Sequence, residues 1–519
     1  MSAPVPARPL SARTLPYWSE RLPTPAYDRD LVTPSVVHFG VGGFHRAHQA
    51  MYHDRLLTAA VTSGGANTAD PTTAQGSAES SGLHWGICGV GVMPSDRRMQ
   101  AALAAQDCLY TLVLKHSDGR YEPRVIGSIV EYLFAPDDPE AVIKKLAAES
   151  TRIVSLTVTE GGYNVDDVTG EFDVSNPAVR RDLEPDATPR TIFGLITEAL
   201  SRRRDQGTAP FTVVSCDNLQ DNGQIARRAV TAFARLKQPE LGDWISREVR
   251  FPDSMVDRIT PVTTDDDRAE IRDRFGLDDK WPVVCEPYTQ WVLEDTFTAG
   301  RPRYEDAGVQ LVDHVEPYEL MKLRLLNGSH QAMCYFAYLA GYRLVHEVAQ
   351  DPLFRAFLLG YMKQEAAPTL PPVPGMDLDA YEDQLLERFA NPQVKDTIAR
   401  LCEHSSDRIP KWLVPVIRQQ LATGGEISRS AAVVASWARY AEGVDEHGEP
   451  IDVVDRLADT LTRLARRQRD NPEAFIANRD LFGSLADNQR FVSAYRSALA
   501  SLHQRGARAT VRALTNLET

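Results

Sequence analysis

Val36-Val37-His38-Phe39-Gly40-Val41-Gly42-Gly43-Phe44-His45-Arg46-Ala47-His48 is the stretch on which the reading of this chain turns. A short run of β-branched and aromatic residues ends in glycines and passes into a helix start. Gly40 permits a tight turn, and Gly42 lets backbone N–H groups approach a pyrophosphate at the helix N-terminus. His45 occupies the place of the usual third glycine, so an ordinary strand-to-helix turn stays open as an alternative. Arg46 adds a cation near the expected phosphates. The acid that binds a ribose normally lies about 20 residues further on. The candidate here, Asp96, comes later, because residues 62–82 form a Ser/Gly/Thr/Ala-rich stretch without periodicity, read as a flexible surface insertion.

Working outward, similar apolar runs recur at 86–90, 153–158, 211–214 and 282–284, each ending in small or polar residues. Continuous apolar strands with helical stretches between them describe a parallel sheet covered on both faces, and ligands bind at the carboxyl ends of such strands. After about residue 305 helical periodicity dominates, over 319–342, 351–363, 381–390, 394–402, 431–441, 453–467 and 488–504. The expected fold class is α/β: a Rossmann-like, doubly wound dinucleotide-binding domain over 1–305, then a mostly α-helical domain over 306–519.

At 519 residues the chain is too long for one ordinary core. With 57 basic against 71 acidic residues, its net charge of −14 argues against a nucleic-acid or anionic-membrane footprint. The N-terminus has no secretory apolar core, and nowhere is there an apolar run of about 18 residues, so no membrane span is expected. The six cysteines are scattered without a C-x-x-C pair and read as reduced thiols, which fits a cytoplasmic location. His45, His48 and His53 do not extend into any zinc-binding framework, so no metal is expected.

The most informative segment is Glu319-Leu320-Met321-Lys322-Leu323-Arg324-Leu325-Leu326-Asn327-Gly328-Ser329-His330. On an ideal helix at about 100° per residue, Lys322, His330 and Asn327 fall at roughly 0°, 80° and 140°, with Glu319 near 60°. Leu323, Leu326 and Met333 share that arc, which should be buried. Burial disfavours an ammonium, so Lys322 becomes a usable base. Asn327 offers a donor for an alkoxide or carbonyl oxygen, and His330 a contact that orients substrate. The alternative is a satisfied polar cluster that merely pins a helix.

Taken together these segments resemble the polyol-specific long-chain dehydrogenases, most closely the mannitol 2-dehydrogenases. The similarity runs from Val36 to the C-terminus apart from 62–82. It includes the glycine turn, Thr159-Glu160-Gly161-Gly162-Tyr163, Ser215-Cys216-Asp217-Asn218-Leu219, Ser254 through Pro261, Val284-Cys285-Glu286-Pro287, and Lys322 through His330. The resemblance implies a lysine base in a K-x4-N-x2-H motif, here Lys322, Asn327 and His330, and a second oxyanion asparagine at Asn218. It implies a proton-exit gate at Glu319, and substrate contacts at Asp257, Arg400 and Arg408, the last standing where close relatives have lysine. Coenzyme contacts are expected at Gly40, Gly42, Gly43, Phe44, His45, Arg46, Asp96 and Glu160.

The implied reaction is reversible, NAD-dependent, metal-independent oxidation of D-mannitol at C2 to D-fructose, by a monomer or weak homo-oligomer. A hexuronate reductase of the fructuronate type, another polyol dehydrogenase such as one for arabinitol, and a non-catalytic nucleotide sensor are the alternatives. Relatives often carry two adjacent acids at the ribose position. Here Ser95 replaces the first and Arg97-Arg98 follow, so NAD⁺ is expected with detectable NADP⁺ use.

Overall fold

A computed structural model of the chain describes residues 7–62, 83–165 and 171–515. Within them the strands Val36–Phe39 (β1), Ile87–Gly91 (β2), Ile129–Phe134 (β3), Ile153–Leu156 (β4) and Thr212–Ser215 (β5) form a sheet in the order β3-β2-β1-β4-β5. Every pairing in it is parallel. Side-chain alternation explains why the runs are apolar throughout. Val37, Phe39, Val90, Leu156 and Val213 pack on one face, in one cluster with residues of helices Pro139–Ala147, Ile192–Gln206 and Asn222–Lys237. Val36, Ile87, Ile153 and Val214 pack on the other, with Met51, Leu56 and Leu103 from helices Gln49–Thr62 and Arg97–Ala104. A strand buried on both faces has no polar side to alternate with. The strand order reverses between β1 and β4, which is the switch point where such sheets bind ligands.

Two strand expectations need correction. The run at 282–284 does not join this sheet: Val283–Cys285 pairs with Tyr110–Lys115, which also pairs with Tyr121–Ile126, in a separate three-stranded sheet. A hairpin inserted between β2 and β3 supplies that second sheet. Conversely, β3 itself was not foreseen. It is an edge strand, half-buried over most of its length, so its sequence lacks a continuous apolar signature.

The chain divides into two compact units between Glu316 and Pro317. The reason is local: Gln310–Val312 pairs with Gln290–Glu294, which pairs with Ser254–Asp257, and this binds the segment to the first unit. The second unit is helical. It includes Gly328–Leu339, Pro352–Tyr361, Leu378–Phe389, Ser428–Tyr440 and Gln489–Thr515, the last interrupted at Gly506. Helices Ser405–Trp412 and Val414–Thr423 had no counterpart in the periodicity reading. The expected insertion lies outside the described residues except for Thr62, which closes helix Gln49–Thr62. Five of the six cysteines are buried, and all are free thiols. No described helix is long and apolar enough to cross a membrane.

Candidate active site

In the first unit, β1 runs into a turn that only glycine fits. Gly40 has φ +90°, and a Cβ there would lie 2.1 Å from the Thr157 carbonyl oxygen. The end of β1 is thereby pressed against the end of β4. His38 ties the same two strands: its Nδ1 pairs with Ser155 Oγ at 2.8 Å and its Nε2 with Thr157 Oγ1 at 2.9 Å. Burial pushes the His38 imidazole down to about 3, so it is neutral. Gly42 and Gly43 are open: a Cβ at either would meet no atom nearer than 3.8 Å. Their backbone can therefore approach a pyrophosphate, and the residues present fit a dinucleotide.

The side chains after the glycines mostly face inward. His45 is buried and stacks on His38 with ring centroids 3.4 Å apart. Arg46 corrects the expectation of a phosphate cation: its buried guanidinium donates to the carbonyls of Gly42 (3.2 Å) and Trp281. Phe44 is half-buried and stacks on His48 at 5.0 Å. His48 Nε2 lies 2.9 Å from the Gln290 carbonyl oxygen and His53 Nδ1 2.8 Å from that of Trp85. Among the described residues no group of three or more His, Cys, Asp or Glu could hold a metal ion.

After β2, Asp96 accepts the N–H groups of Val92 and Met93, both at 2.9 Å, through Oδ2. Glu160 opens the short turn Glu160–Tyr163, and its side chain lies outside the described residues. Asn218 is exposed just after β5, and Asp257 is buried at the end of strand Ser254–Asp257. Asp217, one residue before Asn218, is the clamp of this region. Its carboxylate accepts from Val158 N–H (3.0 Å), Thr159 N–H (2.8 Å) and the Tyr163 hydroxyl (2.6 Å). It so fastens the turn after β4 to the residue preceding Asn218. Its only sequence signal was an acid at the end of an apolar run.

In the second unit the lysine motif is not an ideal helix. Glu316–Met321 is α-helical, Lys322–Asn327 is a π-helix, and Gly328–Leu339 resumes as α-helix. The Gly328 N–H reaches back to the Leu323 carbonyl, and the Arg324 carbonyl is taken instead by the Tyr361 hydroxyl at 3.1 Å. Gly328 makes this possible, since a Cβ there would stand 2.4 Å from that hydroxyl. A π turn closes on the fifth residue, so Asn327 sits roughly one turn beyond Lys322 on a shared face, instead of about 140° away.

Glu319, Lys322, Asn327 and His330 are all buried, 5–8% exposed. Asn327 Nδ2 and His330 Nε2 have no hydrogen-bond partner. The buried face is wider than the expected arc: Gln331, about 180° from Lys322 on an ideal helix, is fully buried and donates to the Leu401 carbonyl at 3.2 Å. Burial, reinforced by Arg400, Arg388 and Arg408, pushes His330 down to about 3 against the opposing pull of Asp396. The His330 ring packs on Phe389 at 4.6 Å. Arg400 is exposed and paired with Asp396 through two hydrogen bonds, from Nη2 to Oδ2 and, at 2.7 Å, from Nε to Oδ1. Arg408 donates to the Leu401 carbonyl at 3.1 Å. The structure thus brings His330, Arg400 and Arg408 into one neighbourhood.

Comparison with known proteins agrees with both units. The mannitol dehydrogenase Rossmann domain matches residues 34–306, and the mannitol dehydrogenase C-terminal domain matches residues 314–503. A mannitol 2-dehydrogenase of Phaeosphaeria nodorum is 45% identical over 496 residues, covering 95% of this chain and 83% of that protein. One of Aspergillus fumigatus is 44% identical, covering 94% of each chain. Among solved structures, Pseudomonas fluorescens mannitol 2-dehydrogenase in ternary complex with NAD and D-mannitol is 43% identical with a TM-score of 0.86, covering 98% of this chain and 100% of that one. A substrate-free D-sorbitol dehydrogenase is 36% identical, also with a TM-score of 0.86, covering 97% and 100%. With both domains matched in order along most of its length, the chain belongs to the mannitol dehydrogenase family.

Proposed function

We propose that this NAD-dependent polyol dehydrogenase oxidises D-mannitol at C2 to D-fructose, reversibly and without a metal, with Lys322 as general base. The observation that carries the reading is a buried lysine and a buried, unpartnered amide donor at the two ends of one π-helical stretch. Likeness to proteins named mannitol 2-dehydrogenase supports the substrate.

NAD, held by the backbone of Gly40, Gly42 and Gly43 with Asp96 at the ribose, supplies the hydride acceptor. Lys322, buried in the motif, removes the hydroxyl proton as general base. Asn327 and Asn218 donate to the oxygen as its negative charge grows. An unpaired buried donor costs about 1–3 kcal/mol, and a substrate oxygen repays it. His330, neutral at working pH, aligns the carbon chain, and Glu319 passes the proton onward. Asp257, Arg400 and Arg408 contact substrate hydroxyls. Arg400 is committed to Asp396, so a hexuronate carboxylate would have to rely on Arg408.

A screen of NADH absorbance with mannitol, arabinitol, sorbitol and mannonate tests this. Mannitol should give the highest kcat/KM with NAD⁺, and a preference for mannonate or arabinitol overturns the assignment. Sorbitol is the favoured second substrate, because the D-sorbitol dehydrogenase shares the fold across the whole chain.

A further inference from the structure

β2 and β3 lie side by side, and three charged residues gather beyond their carboxyl ends: Asp96, Arg97 and Asp137. An arginine next to the ribose acid is the group that receives the 2′-phosphate of NADP. Arg97 is such an arginine, yet it is engaged elsewhere. Its Nη1 donates to Asp137 Oδ2 at 2.9 Å and its Nη2 to Asp137 Oδ1 at 2.5 Å. The guanidinium also lies over the Phe134 ring, 4.5 Å from the centroid. Bidentate pairing together with ring stacking sets both the plane and the direction of an arginine fork. Arg98, the second cation, lies over the Trp281 ring at 5.1 Å.

We propose that Asp137 is a coenzyme-specificity residue: by holding Arg97 in a bidentate pair it withholds the cation that a 2′-phosphate would need. The proposal rests on the reading of Asp96 as the ribose-side acid. The device is a mild one. The two side chains are 57% and 49% exposed, and exposed ion pairs hold weakly. A 2′-phosphate has to displace Asp137 from Arg97 and also meets the negative charge of Asp137 itself.

The test is steady-state kinetics of the full-length enzyme on mannitol with NAD⁺ and NADP⁺, for Asp137→Ala, Arg97→Ala, the double variant and Asp96→Ala. Asp137→Ala should raise the NADP⁺ to NAD⁺ ratio of kcat/KM roughly two- to fivefold, mainly through a lower KM for NADP⁺. In the Arg97→Ala background the same substitution should have a markedly smaller effect, because the cation it releases is gone. An unchanged ratio in Asp137→Ala, or an equal rise with and without Arg97, overturns the proposal. Asp96→Ala separates the two readings. If Asp96→Ala shifts the ratio and Asp137→Ala does not, only the specificity role of Asp137 fails. If Asp96→Ala leaves it unmoved, the ribose assignment fails, and with it the basis for Asp137. All three positions are exposed or half-buried, so the variants should fold.

Discussion

Beyond β2, Arg97 and Asp137 are exposed and paired with one another, whereas in the lysine motif Glu319, Lys322, Asn327, Ser329 and His330 are buried, and Asn327, Ser329 and His330 each end in an atom without a partner. The first arrangement costs little to make and little to change. The second carries a desolvation penalty in the free protein and persists where a ligand relieves it. An orphaned atom is not sufficient by itself. Both ring nitrogens of His45 lack partners, yet that ring is stacked face to face on His38 and needs no ligand to explain its place. What marks the lysine motif is the combination of burial, an unpaired donor and a local π-helix. The contrast predicts large effects on one side and small ones on the other.

The largest belongs to Lys322→Ala, which should cut turnover by roughly 10²- to 10⁴-fold while NAD⁺ binding, followed by fluorescence titration, stays near normal. Near-normal turnover at neutral pH would mean that a different group takes the proton. Next come Asn327→Ala and Asn218→Ala, each expected to lower kcat by roughly 10²- to 10³-fold. They sharpen the contrast, because Asn327 is buried and Asn218 exposed in the same proposed role. A change restricted to KM in both would reassign them to substrate binding.

A third effect follows from burial of a titratable ring. His330 has its folded pKa lowered to about 3, while an unfolded imidazole binds a proton below about 6.5. Above about pH 6.5 the group has no effect on stability. As pH falls below that value the unfolded state takes up the proton first, and stability is lost by up to about 1.4 kcal/mol per unit until about pH 3. Denaturant unfolding of His330→Asn between about pH 4 and 6 should show a shallower loss than the parent, and an identical slope removes His330 from the account. The smallest effect is expected from Asp96→Ala, a several-fold narrowing of the preference for NAD⁺ as like-charge repulsion is removed. Lowered thermal stability with selectivity intact would instead make Asp96 only a holder of the Val92 and Met93 backbone.

Much of this was legible in the residues, and the failures have identifiable causes. The runs at β1, β2, β4 and β5 are central strands covered on both faces, so their apolar character is continuous and readable without partners. β3 was missed because an edge strand, half exposed, imposes no such pattern. The lysine segment stood out because three polar side chains at helical spacing are unusual among leucines. Its true geometry did not, since nothing within Lys322–Asn327 alone signals a π turn.

The amino-acid order by itself determined which residue types could bind phosphate and move a proton, and where strands give way to helices, because these follow from backbone sterics and short-range periodicity. Tertiary structure alone decided which charges are available. Arg46 is spent on the Trp281 and Gly42 carbonyls, Arg97 on Asp137, and Asp217 on the turn after β4. It also decided the π turn, through the hydroxyl of Tyr361 reaching the Arg324 carbonyl over Gly328. The physical reason is common to all of these. Hydrogen bonds and ion pairs reach only about 3 Å, and apart from Gly42, four residues from Arg46, the partners here lie 37 to 235 residues away in sequence, a distance that no local pattern encodes.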